Sequence, residues 1–133
     1  MQSINEISWK SLGSVHDQRG VLTSIESSID IPFEIKRIFY MHHILSDRGG
    51  HAHIDTDQVV IAISGSFQIE LYDGANQVLF NMNDPTKGLY IPRMIFIRLF
   101  NFSEDAVCLV LASTHYDIKK SFRNIDEYNN AIN

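Results

Sequence analysis

The sequence lacks the features that mark three common classes of protein. It has one cysteine, so no disulfide can form within the chain, and this usage is typical of the reducing cytoplasm. Acidic residues outnumber basic ones by 16 to 11, which leaves no basic stripe for the phosphate backbone of nucleic acid. No apolar run approaches the roughly 18 residues that span a membrane. We therefore expect a cytoplasmic protein with neither a nucleic-acid nor a membrane partner.

The chain has a size that suits one folding unit. Its 133 residues, of which 44% are hydrophobic, can bury roughly two-thirds of the unfolded surface in one core. It contains no internal repeat, low-complexity stretch or linker. The sequence therefore predicts a single domain that spans residues 1–133.

From residue 6 to about residue 112 the apolar residues recur with period two or in short runs. In the plainest case Phe67, Ile69 and Leu71 alternate with polar residues, and Asp73-Gly74 supplies the turn of a hairpin. Runs of this kind, broken at close intervals by Gly, Asp, Asn and Pro, are typical of β-strands. The other predicted strands are Val21–Glu26, Phe33–Ile44, Gln58–Ile63, Val78–Asn81, Gly88–Ile91, Ile95–Phe100 and Val107–Ala112.

A short helix is predicted near the C-terminus. The strand pattern ends at Ser113, and Asn124 followed three residues later by Glu127 is typical of a helix start. Many short strands in one small domain favour a sandwich or a barrel. The expected fold is therefore all-β, with a short C-terminal helix.

The candidate functional residues are a pair of histidines, His51 and His53. One residue separates them in an extended segment, so their side chains point to the same face, about 7 Å apart along the strand. Arg48 precedes them through two glycines, which let the backbone come close to a ligand. Such pairs also occur on solvated loops, so the argument depends on the surrounding motif. We predict that both imidazoles reach one ligand.

The segment Gly50-His51-Ala52-His53, followed by Gln58 and Gly65, resembles the first motif of the cupin superfamily. Metal-binding cupins have a glutamate where this sequence has Gln58, a neutral amide that does not supply the anionic oxygen a divalent metal prefers. The second cupin motif adds a histidine, where this sequence has Ile97. Two of four ligands remain, and catalytic metal sites normally have three. We therefore expect a metal-free site that needs no cofactor.

The resemblance is closer to one branch, the dTDP-4-keto-6-deoxyhexose 3,4-ketoisomerases, or WxcM-like cupins. It implies a cupin β-barrel (jelly roll) that forms a homodimer, binds a dTDP-sugar and serves deoxysugar biosynthesis for surface polysaccharides such as the O-antigen of lipopolysaccharide. One departure is Phe96-Ile97, where the family commonly has Trp-His. The resemblance lies in Arg19-Gly20, residues 31–40 and 48–53, Gln58, Gly65-Ser66, and residues 72–74, 88–92, 101–103, 110–113 and 116–117.

Two histidines suit the chemistry that the resemblance implies. Moving a ketone from C4 to C3 requires removal of the C3 proton, delivery of a proton to C4, and transfer of another proton between the two oxygens. A side chain with an unperturbed pKa of about 6.5 can act as acid or base near neutral pH. We expect His51 and His53 to divide these transfers, and the sequence leaves their individual roles open.

Arg48 is the first candidate for binding the diphosphate, because a guanidinium makes bidentate contacts to phosphate oxygens. The sequence around Tyr40 and Tyr90 is equally compatible with contact to the sugar or thymine and with packing in the protein. Arg37, in contrast, is predicted to be an exposed strand residue, and His115 has no supporting context. The other candidate substrate-binding residues are Arg19, Arg98, Gln58, Tyr40 and Tyr90.

Three alternatives remain open at the level of the sequence. The related 3,5-epimerases share an Arg-Gly-x-His motif and remove a proton beside a ketone, although they have Gln where this chain has His53. A degenerate cupin could bind a sugar nucleotide without converting it, as Ile97 suggests. A metal-dependent dioxygenase or isomerase is the last alternative.

Overall fold

The computed structural model describes residues 3–133 and consists mainly of short antiparallel strands. These strands form two five-stranded sheets and a separate two-stranded hairpin. In chain order they are β1 (Ser8–Ser11), β2 (Gly13–Asp17), β3 (Gly20–Ser24), β4 (Arg37–Met41), β5 (Arg48–His53), β6 (Gln58–Ser64), β7 (Phe67–Tyr72), β8 (Gln77–Met82), β9 (Lys87–Ile91), β10 (Phe96–Phe100), β11 (Val107–Ala112) and β12 (Ser121–Phe122).

The sheets have the strand orders β1-β9-β6-β11-β4 and β12-β5-β10-β7-β8. Neighbouring strands are mostly distant in the chain, as in a jelly roll, and all the pairings are antiparallel. β2 and β3 pair only with each other. The prediction of an all-β jelly-roll fold is confirmed.

The hydrophobic core lies between the two sheets. Alternate residues of the first sheet, such as Val60 and Cys108, pack against Phe67, Leu71 and their neighbours in the second sheet. A second cluster covers part of the outer face of the first sheet, where Leu12 and Ile31 lie against β6 and β11. Burial raises the pKa of the Cys108 thiol to about 12, which keeps it protonated.

Most of the predicted strands agree closely with the structure. β11 has the predicted bounds, and β6, β8, β9 and β10 differ from theirs by one residue at one or both ends. Predicted strand 33–44 is shortened to Arg37–Met41, and predicted strand 21–26 becomes β3, Gly20–Ser24. β1, β2 and β12 had no strong alternation and were not predicted. Their pairing depends on partners that are distant in sequence.

The predicted C-terminal helix is present as α1 (Ile125–Ile132). The side chain of Asn124 accepts a hydrogen bond from the backbone N–H of Glu127, as the capping pattern predicts. Tyr128 is fully buried, and its hydroxyl donates to the carbonyl oxygen of Met94 at 2.7 Å. The helix is thereby fixed against the second sheet. Within residues 3–133, no helix has the length and apolar character needed to cross a membrane.

Candidate active site

His51 and His53 lie on the inner face of β5, as their spacing predicts. Their ring centroids are 5.0 Å apart, with an angle of 80° between the ring planes. Ala52 between them points to the opposite face and is fully buried against the α1 side of the sheet. Both imidazoles line a cavity of about 740 Å³, which suits a ligand of nucleotide-sugar size.

Arg48 lines the same cavity because β5 contains a bulge. Along β10, the adjacent residues Ile97 and Arg98 pair with His51 and Gly49, so Gly50 is an extra residue in β5. In a regular strand, residues 48 and 51 would point to opposite faces. Gly49 and Gly50 have φ values of +87° and +76°, a region that favours glycine. The Gly-Gly pair therefore brings Arg48 to the face of the histidines.

Ile97 occupies the inner-face position directly opposite His51. It is 5% exposed and belongs to the main core cluster. Arg98 points to the outer face, where its guanidinium pairs with Glu70 at 3.2 Å and Asp47 at 3.5 Å. The strand register thus places the side chain of Ile97 inward and that of Arg98 outward. Arg98 does not replace the missing histidine, and its predicted substrate contact is not made in this cavity.

Tyr40 and Tyr90 lie on the outer face of the first sheet. Tyr40 is 64% exposed and its ring is 5.6 Å from that of His42. Tyr90 packs in the outer cluster, 6.5 Å from the ring of Phe33. The strand period of two directs the neighbours of these tyrosines inward instead, and Phe39 lines the cavity. The predicted contact of either tyrosine with sugar or thymine is therefore not made within one chain.

Arg19 also lies away from the cavity of its own chain. It is in the turn between β2 and β3, where its exposed guanidinium donates to the Asp17 carboxylate at 2.7 Å. This ion pair raises the pKa of Arg19 and lowers that of Asp17. Arg19 is therefore not among the residues that line this cavity.

The structure brings four cations to the cavity, and only Arg48 among them was predicted to bind the ligand. The others are Arg37 from β4, Lys120 before β12 and Arg123 after it. Asp55 and Asp117 are the two acidic residues in the lining, so basic groups outnumber acidic ones by four to two. A protein with a net charge of −5 therefore surrounds its main cavity with an excess of positive charge.

Arg37 was predicted to be an exposed strand residue, and this prediction is wrong. It pairs with Ala112 at the end of β4, on the same inward-facing side as Phe39, and so lines the cavity. Its guanidinium lies 5.3 Å from the ring centroids of both Phe39 and Tyr116. The Nε atom is buried without a hydrogen-bond partner among the described residues, and burial lowers the pKa of the group. The guanidinium thus adds positive charge to the wall of the cavity.

The C-terminal segment closes one side of the cavity. β12 pairs with β5, placing Ser121 opposite His53, and the preceding residues His115, Tyr116 and Asp117 also line the cavity. Tyr116 and Asp117 belong to the family resemblance, but the sequence did not place them in the site. A strand of two residues gives no periodic signal, so only the tertiary pairing reveals this wall.

Both candidate catalytic histidines are shifted toward the neutral form. Burial lowers the pKa of His51, and nearby Arg123 and Arg48 lower it further. Burial also lowers the pKa of His53 to about 4, with additional contributions from His51 and Arg37. Both rings are therefore neutral at physiological pH and available as hydrogen-bonding or proton-transfer groups.

Gln58 lies behind His53 rather than in the cavity lining. It is 4% exposed, and its side-chain Nε2 is 3.2 Å from Nε2 of His53. Of the two aspartates beside the pair, Asp57 binds Arg93 whereas Asp55 reaches the cavity. The predicted direct contact of Gln58 with substrate is thus replaced by a contact with a histidine.

These features define a jelly-roll protein with a basic, histidine-lined cavity between β4 of one sheet and β5 of the other. The chain belongs to the FdtA family, described as WxcM-like, C-terminal, whose profile matches residues 5–133. The resemblance found in the sequence is therefore confirmed across nearly the whole chain.

The chain is also similar to named proteins. The chain is 36% identical over 118 residues to a TDP-4-oxo-6-deoxy-α-D-glucose-3,4-oxoisomerase from Aneurinibacillus thermoaerophilus, covering 87% of this chain and 85% of that protein. The sugar 3,4-ketoisomerase QdtA from Thermoanaerobacterium thermosaccharolyticum, crystallised with TDP, superposes with a TM-score of 0.93 at 37% identity, covering 97% and 96% of the two chains. The TDP-quinovose 3,4-ketoisomerase WlaRB from Campylobacter jejuni superposes at 0.89 with 40% identity, covering 96% and 99%.

Proposed function

We propose that this chain is a nucleotide-sugar 3,4-ketoisomerase that converts dTDP-4-keto-6-deoxyglucose to a dTDP-3-keto-6-deoxyhexose. The observation that carries the proposal is the pair of neutral imidazoles on one face of a basic cavity, in a family whose named members are 3,4-ketoisomerases. The single buried Cys108 supports a cytoplasmic location.

Catalysis is assigned to His51 and His53. Removal of the C3 proton is possible because the neighbouring C4 ketone stabilises the resulting enediolate. A neutral imidazole accepts that proton, exchanges it with solvent and delivers a solvent-derived proton to C4, while a second imidazole transfers a proton between the two oxygens. The lowered pKa of each ring supports this use, because a neutral ring has one nitrogen free to accept a proton.

The diphosphate is assigned to the cationic part of the cavity. Arg48 on β5 and Arg123 beyond β12 approach the histidines from two elements, and Arg37 from a third. Guanidinium groups match phosphate oxygens in charge and geometry. Arg37 adds a third guanidinium to the lining of the cavity.

We further propose that the proton transfers proceed without a metal ion or other cofactor. The support is the donor set, because the positions that complete the metal site of related cupins hold the amide of Gln58 and the hydrocarbon side chain of Ile97. Neither supplies the anionic or imidazole ligand that a divalent cation requires. Turnover that survives dialysis against a chelator is the expected result.

A homodimer completes the proposal. The outer side of β4 exposes Ile38 (58%) and Tyr40 (64%), and the isolated β2–β3 hairpin exposes Leu22 (65%). A second copy of the chain would cover these apolar groups and would accept the hairpin that carries Arg19. We expect sedimentation analysis to give a dimer and the Leu22→Asp variant to shift toward monomer.

The dimer also assigns Arg19 to the partner's cavity. We expect Arg19→Ala to lose activity alone, and a refolded equal mixture of Arg19→Ala and His51→Asn chains to regain about a quarter of wild-type activity. Only a heterodimer has one cavity with both groups intact. A mixture that stays inactive would show that Arg19 acts within its own chain or only on the fold.

The reaction itself is tested by proton NMR of the protein with dTDP-4-keto-6-deoxyglucose in heavy water. The expected product is a 3-keto sugar with solvent deuterium at C4, and the spectrum reports the C4 configuration directly. Deuterium at C5 with the ketone still at C4 would instead identify an epimerase. Unchanged substrate that still binds would identify a non-catalytic binding protein.

A further inference from the structure

Gln58 is the buried polar residue that stands directly behind the candidate active site. It begins β6, is 4% exposed, and contacts His53 through an Nε2 to Nε2 distance of 3.2 Å. The cavity lining includes His53 but not Gln58. Gln58 therefore affects a bound ligand only through the histidine.

This contact selects the ring nitrogen of His53 that carries the proton. An amide nitrogen donates and does not accept, so Nε2 of His53 is the acceptor. In a neutral ring the proton is then on Nδ1. Because Nε2 is engaged by Gln58, the Nδ1–H group is what His53 offers to a ligand.

The charges around His53 also oppose a second proton on its ring. His51 on β5, Arg37 on β4 and Arg123 after β12 all disfavour a positive charge, and only Asp55 favours one. Together with burial, they lower the pKa of His53 to about 4. The neutral amide of Gln58 leaves the pKa of His53 low, whereas a carboxylate at the same position would raise it.

Resting on the proposed ketoisomerase function, we propose that Gln58 is a positioning residue that holds His53 as a neutral ring with its proton on Nδ1, the form that carries a proton between the two sugar oxygens. When a base has removed the C3 proton, Nδ1–H gives its proton to O4 of the enediolate. The ring anion accepts the Gln58 N–H at Nε2 and then takes the proton of the O3 hydroxyl at Nδ1.

Each step of this cycle balances. The negative charge moves from O4 to O3, the ring recovers its starting form, and the base delivers a proton to C4 as the O3 anion collapses to a ketone. Neutral imidazole serves as the proton donor to a carbonyl oxygen in other isomerases that work through an enediolate. The base that handles the carbon-bound proton is then His51, the other imidazole in the cavity.

The test is the isosteric substitution Gln58→Glu, with chelator present so that no metal bound by the new carboxylate contributes. The carboxylate accepts the Nε2–H of His53, so the neutral ring loses its Nδ1 proton. An opposite charge at this distance raises a pKa by about 1 to 3 units. Gln68→Glu is the matched control, because this β7 amide binds Asn81 and Asn101 and contacts no histidine.

The first readout is the long-range ¹H–¹⁵N spectrum of histidine-labelled protein, with His53 assigned by its loss in His53→Asn. In the wild type we expect a protonated Nδ1, an unprotonated Nε2 and no titration between pH 8 and pH 5. In Gln58→Glu we expect the proton on Nε2 and a titration midpoint about two units higher. Gln68→Glu should match the wild type.

The second readout is turnover as a function of pH. At pH 8 the Gln58→Glu ring lacks Nδ1–H, so kcat should fall about 100-fold. As the pH decreases, the ring of the variant gains its Nδ1 proton, and the ratio of variant to wild-type kcat should rise. A purely structural lesion would lower this ratio equally at every pH.

A wild-type His53 with its proton on Nε2, or an unchanged midpoint in Gln58→Glu, would overturn the inference. If Gln58→Glu does not fold, Gln58→Met removes the hydrogen bond without adding charge. It should abolish the preference for Nδ1–H while leaving the midpoint low, and a retained preference would also overturn the inference. The ring spectra do not depend on turnover, so absence of ketoisomerase activity in the wild type would refute the proposed function separately.

Discussion

Two pairs of histidines in this chain differ in almost every physical respect. His42 and His43 are adjacent in the bend after β4, both exposed, with their Nδ1 atoms 2.6 Å apart. His43 has a φ of +50°, so the backbone there is in the left-handed region. His51 and His53 are separated by one residue on β5, partly buried, and face a cavity.

The comparison shows that strand geometry, more than residue type, creates a site. A spacing of two on a strand places both rings on one face, whereas adjacent residues diverge unless a bend brings them together. Burial then lowers the pKa of both His51 and His53, and basic neighbours add to the effect. His42 and His43 line a smaller and more open cavity of about 330 Å³.

Removing one imidazole from each pair should give the largest contrast. We expect His51→Asn or His53→Asn to reduce kcat by at least about 100-fold, because each removes a proton-transfer group. His42→Asn and His43→Asn should leave kcat unchanged. The measurement is steady-state conversion of dTDP-4-keto-6-deoxyglucose, and equal losses in both pairs would show that the exposed histidines also contribute.

The basic groups around the cavity should give the next largest effect. Arg48→Ala or Arg123→Ala should weaken binding of TDP about tenfold or more, since a hydrogen bond to a charged group contributes about 1.5 to 3 kcal/mol. Arg98→Ala is the control, because its guanidinium pairs with Glu70 and Asp47 on the outer face. Titration calorimetry distinguishes them, and a similar loss in Arg98→Ala would contradict the cavity assignment.

The bulge distinguishes β5 from a regular strand. A methyl group added at either of its glycines should lower the free energy of unfolding. A Cβ at Gly49 would lie 2.7 Å from the carbonyl oxygen of Ile97, whereas a Cβ at Gly50 would meet no atom within 4 Å. Gly50→Ala should lower the free energy of unfolding by about 1 to 2 kcal/mol through its positive φ alone. Gly49→Ala should lose more, and denaturant unfolding would contradict this if the order were reversed.

Burial of the His53 ring should also make the stability of the protein depend on pH in acid. In the unfolded chain His53 has an ordinary pKa of about 6.5, whereas in the folded protein its pKa is about 4. Between these values the unfolded state binds more protons, so the free energy of unfolding falls as the pH falls from about 6.5 to about 4. The thermal midpoint should decrease by about 10 °C over this range.

His53→Asn should remove most of this acid sensitivity, whereas His43→Asn should retain it. Differential scanning calorimetry at several pH values provides the comparison. If both variants lose stability in acid as the wild type does, other groups dominate the titration.

Much of the fold and part of the site were predictable because their signals are local. Alternation identified β7, a continuous apolar run identified β11, and the Asn124 cap identified the start of α1. The His51 and His53 pair needed only the strand period. Arg37 was misjudged because the face of an isolated strand is undefined until its neighbours are known.

The sequence by itself determined the all-β character, the histidine pair and the family, since each depends on residue types at short and constant spacing. The tertiary structure alone decided which cations share the cavity, because Arg48 reaches it through a bulge and Arg123 through a two-residue strand paired with β5. It also turned Ile97 inward and Arg98 outward, and placed Gln58 against His53. These arrangements depend on register and on contacts between distant segments, which no local pattern encodes.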